Sequence, residues 1–195
     1  MKLQLLAQIA VLSITFQVFP LHAEGVFVRK VSEKPKSLND EAQESIRIGI
    51  NDQLYQIASL GDWGLWANLH DFHFAASPPS PHDGLVGIRV DPYVDKDGKP
   101  LSEITQEILD SKLKLLMPEG PVYKGEVPTI KGPEKVTTVE FDVLRAGRSI
   151  WKCHYRISIV ENEIRTFACE APPSDFPAAF QIFSTAAGTF SKLSK

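Results

Sequence analysis

Only two cysteines, Cys153 and Cys169, occur in the 195 residues, and they are not arranged as Cys-x-x-Cys. A thiolate-rich metal knuckle and the common dithiol redox motif are therefore excluded. Also missing are Gly-x-Ser-x-Gly, His-Glu-x-x-His, a phosphate-binding glycine loop and a dinucleotide fingerprint, so the chain announces no nucleophile elbow, zincin site or nucleotide cradle. Ser111-Lys112-Leu113-Lys114 matches Ser-x-x-Lys by letter. The Ser-Asp-Asn and Lys-Thr-Gly elements of such acyl-enzymes are absent, and the match reads as chance on an exposed helix face. There is no block of like charge, no internal repeat and no Asn-x-Ser/Thr site. The formal net charge of −3 argues against nucleic acid or an anionic membrane as main partner.

What is present begins with an export pattern. Lys2 gives a positive start, Leu3 to Phe19 is largely apolar, and Pro20-Leu21-His22-Ala23 ends on a small residue. This predicts a signal peptide over 1–23, cleaved after Ala23, and a periplasmic or secreted protein. No later stretch is long and apolar enough to span a bilayer, so no stable membrane insertion is expected after cleavage. Removing 1–23 takes away Lys2 and leaves a net charge of −4. Residues 24–44 read as an arm or linker with a short β-like run, Val26-Phe27-Val28. Residues 45–195 read as one domain, for which 43% hydrophobic content suffices to build a core.

The clearest pattern runs from Lys135 to Cys169 as three antiparallel strands. Val136–Leu144 and Arg148–Ile159 both alternate, with Phe141, Trp151, Cys153 and Tyr155 on the apolar side. Arg145-Ala146-Gly147 and Val160-Glu161-Asn162 each suit a three-residue loop ending in a residue that tolerates positive φ. That register sets Phe141 opposite Trp151 and Cys153 opposite Cys169. In an oxidising compartment it predicts a Cys153–Cys169 disulfide, worth roughly 3 kcal/mol.

Elsewhere, Ile46–Ile50 and Leu54–Ile57 predict a hairpin turning at Asn51-Asp52. Leu65–Ala76 reads as one strand, Ser77–Pro81 as a rigid loop and Val86–Val90 as another strand. Ser102 can cap a helix whose apolar stripe includes Ile104, Ile108 and Leu116, before Pro118. The stretch from Glu119 to Glu134, rich in Gly and Pro, reads as an irregular excursion. A last helix is capped by Ser174, and its Phe176, Phe180, Phe183 and Phe190 are expected to pack on the Phe141, Trp151, Tyr155 and Phe167 side of the sheet. Strands followed by helices, without strict alternation, indicate α+β with an antiparallel sheet of about six strands and two main helices.

Certain elements carry a family resemblance: Trp63 after a strand and turn, Asp71-Phe72-His73-Phe74, Val86–Val90 and the Leu101–Leu116 helix. With them go Thr166-Phe167-Ala168-Cys169-Glu170-Ala171-Pro172 and the closing Phe180–Phe190 helix. From Ser45 to Leu193 this order resembles the Mog1/PsbP/DcrB-like superfamily. The resemblance implies an α/β/α sandwich around an antiparallel sheet. It also implies a non-enzymatic accessory, assembly or binding role, with no catalytic residues to carry over.

Two constellations remain. His70, Asp71 and His73 have metal-ligand chemistry, and a small metal-dependent hydrolase would use them, but on one strand the two histidines face opposite ways. Glu140, Lys152, His154 and Arg156 share the polar side of the three-strand unit, with Glu140 expected opposite Lys152 and Thr138 opposite His154. They form a binding candidate on what reads as a solvated face. The expectation is therefore an exported, non-enzymatic binding protein that needs no cofactor or metal, its partner an envelope protein or a small ligand. An immunity protein against a periplasmic toxin is the nearest rival.

Overall fold

The computed structural model describes residues 25–33, 43–94, 101–116, 136–145 and 148–194. The expected signal segment, the Glu119–Glu134 excursion and the Ala146-Gly147 loop tip lie outside them. Alternating side chains make most of these residues strands. In order the elements are β1 (Phe27–Glu33), β2 (Gln43–Ile50), β3 (Gln53–Ala58), β4 (Gly64–Leu69), β5 (Phe72–Ser77) and β6 (Leu85–Pro92). There follow α1 (Leu101–Leu116), β7 (Val136–Arg145), β8 (Arg148–Val160), β9 (Glu163–Ala171), α2 (Phe176–Thr189) and β10 (Ser191–Lys192). The strands form two antiparallel sheets, ordered β1-β2-β3-β10 and β4-β5-β6-β9-β8-β7. The single sheet of about six strands is thus corrected, among the described residues, to two sheets of four and six strands.

Two sequence readings account for the difference. Phe27–Glu33, placed in the arm, is β1 and pairs with β2 along its whole length. Leu65–Ala76, read as one strand, folds back on itself between Leu69 and Phe72, with His70 at a φ of 53°. The β2–β3 hairpin turns at Asn51-Asp52 as expected. Both residues have positive φ, 47° and 62°, the requirement of the tight turn that matches strand twist.

The second sheet covers apolar surface that the first cannot bury alone. Ile46, Ile48 and Ile50 of β2 share one core with Phe74 of β5, Val86 and Ile88 of β6, Phe167 and Cys169 of β9, and Phe183 of α2. On the other face of the six-stranded sheet, Phe141, Cys153 and Tyr155 form a separate cluster, and Ile104 of α1 packs on Ile157. There the Phe72 ring lies so close over Gly87 that a Cβ at that position would sit 2.5 Å from it. Any side chain larger than hydrogen would displace the ring.

The three-strand unit exists, but its register differs from the expected one in two ways. Across β7–β8, Phe141 pairs with Cys153 and Val143 with Trp151, and the register shifts near Val143/Leu144. Relative to the expected pairing this is a slip of two, so every side chain keeps its face. Across β8–β9, Val160 pairs with Glu163, so the loop is Glu161-Asn162 alone. Glu161 takes a φ of 55°, a conformation that glutamate does not advertise. The slip here is one residue, and it inverts the faces.

The disulfide does not survive that inversion. Cys153 pairs with Glu170 and Cys169 with His154, so the two sulfurs point to opposite sides of the sheet and are not joined. Both are buried, at 2% and 0% exposure. Burial, followed by the neighbouring Glu170, pushes the Cys169 thiol up to about 12.

α2 also changes side. It packs against β9, β3 and β6, covering the face that bears His154, Cys169 and Phe167 rather than that of Phe141, Trp151 and Tyr155. Of the four expected partners only Phe167 lies under it. Its N-cap is Asp175, one residue after the expected Ser174. The Asp175 carboxylate meets His82 Nδ1 at 3.1 Å and accepts the Asp83 N–H at 3.1 Å. These contacts tie the proline-rich loop to the helix start and hold the Asp175 carboxyl below its usual range. Pro177 stands in the first turn, where its missing N–H costs nothing.

Candidate binding site

Lys152, His154 and Arg156 project from the same face of β8 because they alternate with Cys153 and Tyr155. The observed register sets Asp142 opposite Lys152, Glu140 opposite His154 and Thr138 opposite Arg156. The expected Glu140–Lys152 and Thr138–His154 pairs are each displaced by the slip of two. All four sequence candidates stand on one face, yet that face is not simply solvated, since α2 lies across its middle.

His154 marks the contact. Its Nδ1 lies 2.8 Å from Glu140 Oε1, with its own side chain 10% exposed and that of Glu140 73% exposed. The imidazole stands edge-on to Phe180 and Phe183, both at 4.9 Å between centroids. Such near-perpendicular pairs set the positive edge of one ring against the negative face of the other. Glu140 thus reaches from solvent to satisfy a polar group that the helix has buried. Phe176 stacks on Phe180 at 5.8 Å and Phe180 on Phe183 at 5.4 Å, and the Lys152 ammonium lies 5.9 Å from the Phe176 ring centroid. Phe176 and Phe180 remain half-buried, while Lys152 and Arg156 are exposed.

The result is a corner where an aromatic helix wall meets a sheet floor carrying charge. Its chemistry suits recognition: ring faces for an apolar group, cations for an anionic one. Sequence reading found the floor and missed the wall, because the one-residue slip in β8–β9 had sent α2 to the other face.

The His70-Asp71-Phe72-His73 stretch is spread over a hairpin. His70 is exposed in the turn, and Asp71 Oδ2 lies 3.8 Å from Arg89 Nη1. His73 Nδ1 accepts the Val90 N–H at 3.1 Å, standing in for a backbone carbonyl between β5 and β6. Burial lowers the His73 pKa, against the pull of Asp91. No group of three or more His, Cys, Asp or Glu among the described residues is placed to hold a metal ion.

Two further carboxylates, both on β9, went unnoticed in the sequence. Glu170 is 7% exposed and accepts the Tyr155 hydroxyl on the face opposite α2. Burial first, then the Glu170 charge, raises the Tyr155 pKa well above normal. Glu163, 8% exposed, accepts Tyr55 Oη at 2.8 Å, Lys192 Nζ at 2.7 Å and Arg165 Nη2 at 2.9 Å. Burial opposes its charge, but these donors outweigh burial and hold its pKa below the ordinary value. Their only sequence signal was a carboxylate at each end of a strand.

No family model and no curated protein sequence matches the chain. Solved structures match the fold. Cyanobacterial PsbP from Synechocystis sp. PCC 6803 superposes with a TM-score of 0.51 at 10% identity, over 71% of this chain and 86% of its own. LpqN, involved in cell envelope biogenesis of Mycobacterium tuberculosis, gives 0.49 at 8% identity, over 86% and 92%. A protein from Bacteroides thetaiotaomicron VPI-5482 gives 0.42 at 12% identity, over 72% and 46%. By the first of these matches the chain has a PsbP-like fold. Among its described residues no helix is long and apolar enough to cross a membrane.

Proposed function

We propose that the protein is an exported, non-enzymatic accessory protein that holds an envelope protein or a small ligand at the corner between α2 and the β7–β8 hairpin. The observation that carries this reading is the corner itself. Half-exposed Phe176 and Phe180 stand at Lys152 and His154, with exposed Arg156 next along the same face of β8, a combination suited to binding apolar and charged groups together. A PsbP-like fold is compatible with such a role, and we take the helices to flank the six-stranded sheet as in an α/β/α layering. Export rests on the apolar N-terminal segment ending at Ala23.

The test is affinity capture from the native cell envelope, using the protein tagged at its C terminus and expressed with its own N-terminal segment, with metal analysis of the same sample. A single stoichiometric protein or small-molecule partner without metal supports the reading, and the identity of a protein partner separates an accessory role from toxin neutralisation. Stoichiometric metal and no partner would overturn it and return attention to His70, Asp71 and His73.

A further inference from the structure

The three side chains Lys152, His154 and Arg156 on the floor of this corner are not equivalent. Lys152 has Asp142 opposite it and the Phe176 ring beneath its ammonium. His154 has Glu140. Arg156 has Thr138 on one side and Phe167 on the other, neither of them acidic. Arg156 is thus the exposed member of this row with no acid directly opposite. It is the side chain whose planar donors suit a carboxylate in two-point contact.

α2 fixes what lies beside it. Phe176 stands at Lys152, and Phe180 and Phe183 stand at His154, so helix and strand run alongside each other. Two more strand residues advance about 6.8 Å, or about four to five helix residues. Arg156 is thereby level with the small residues Ser184 and Ala187. α2 itself has no charged residue from Phe176 to Thr189, so nothing on the helix repels or neutralises an incoming anion.

We propose that the corner takes an extended acidic segment of a partner protein. A carboxylate sits on Arg156, and an apolar side chain two residues away lies against Phe180, at the level of His154. In an extended chain, side chains at i and i+2 share a face and stand about 6.8 Å apart, the spacing from the His154 level to Arg156. This assignment rests on the binding reading above and names the chemistry of its partner.

A fluorophore-labelled peptide, acetyl-Gly-Phe-Ser-Glu-Ser-Gly-amide, is titrated with the purified protein and followed by anisotropy, alongside matched peptides with Gln for Glu and with Gly for Phe. The expected result is binding that weakens at least about tenfold, or about 1.4 kcal/mol, for either control peptide. Arg156→Glu should weaken the acidic peptide by at least as much and abolish its preference over the Gln peptide, with thermal unfolding unchanged. Equal binding of acidic and Gln peptides, undiminished binding by Arg156→Glu, or binding to phosphatidylglycerol vesicles in place of the peptide would each overturn the assignment. Envelope capture separates the two levels: a partner retained equally by wild type and Arg156→Glu removes this assignment and leaves the binding reading standing. No partner for either protein removes both.

Discussion

Two groups of polar and charged side chains sit on neighbouring strands of the same sheet, and the fold treats them oppositely. At the start of β9, Glu163 gathers Tyr55 from β3, Arg165 from its own strand and Lys192 from β10. Every donor converges on one buried carboxylate, and the cluster ties the four-stranded sheet to the six-stranded one. On β8, Lys152, His154 and Arg156 line the edge of α2 with their acids on the solvent side, and Arg156 has no acid opposite. Where polar groups exhaust one another, they serve the fold. Where one is left with capacity, at the rim of an aromatic wall, it is available to something else.

Glu163→Ala is the most severe way to break this comparison. It leaves Arg165, whose side chain is 12% exposed, with its buried acceptor gone. The loss should be about 3 kcal/mol in urea unfolding, at the lower end for a buried pair because Lys192 is partly in water. A loss no larger than that of an ordinary surface change would show the cluster to be ornamental. The same group sets a pH dependence. Its folded pKa is lowered from 4.5, so its contribution is complete above 4.5 and disappears as pH falls through the folded value.

His73 gives a smaller test with the same sign in a higher pH window, since it must stay neutral to accept the Val90 N–H. Its folded pKa lies below the ordinary 6.5 because burial disfavours the imidazolium. Stability from this group is therefore complete above 6.5 and falls with pH below it, as the unfolded chain takes up the proton first. Urea midpoints at about pH 7.5 and about pH 5.5 should drop more for wild type than for His73→Asn, which keeps an acceptor without titrating. Identical drops would remove His73 from the account.

How much of this was legible in the sequence follows from the arithmetic of strands. A slip of two in β7–β8 left Phe141, Tyr155 and His154 on their expected faces, so the candidate row could be read correctly although each partner was wrong. A slip of one in β8–β9 inverted everything beyond it, including Cys169, Phe167 and the side on which α2 docks. The cause is local: Glu161 adopts positive φ in a two-residue loop, whereas composition favoured a longer loop closed by Asn162. α1 and the Asn51-Asp52 hairpin were legible because periodicity and turn chemistry are contained within them. β1 was not, because a strand that is stable only through pairing looks like a linker when read alone. The cysteines make the error measurable. Protein purified without reductant and then unfolded should release two titratable thiols, and reductant should leave the thermal midpoint where it was. A midpoint that falls on reduction would restore the disulfide and the one-residue register that produces it.

Arg156 supplies the smallest effect and the sharpest division between the two regions. If its guanidinium were part of the fold, as Arg165 is, truncation would be felt throughout the sheet. Because it is exposed and faces Thr138 and Phe167, Arg156→Ala should change unfolding free energy by no more than about 0.5 kcal/mol, the range of ordinary surface substitutions. Lys152→Ala should cost slightly more, up to about 1 kcal/mol, the value of an exposed contact between its ammonium and the Phe176 ring. Glu140→Ala should cost somewhat more, because it removes the acceptor that reaches His154 beneath α2. That order, with Arg156 least and Glu140 most among the surface groups, follows from which of them the fold has already used. A large stability loss from Arg156→Ala would make β8 and β9 alike, and the corner would then be part of the scaffold.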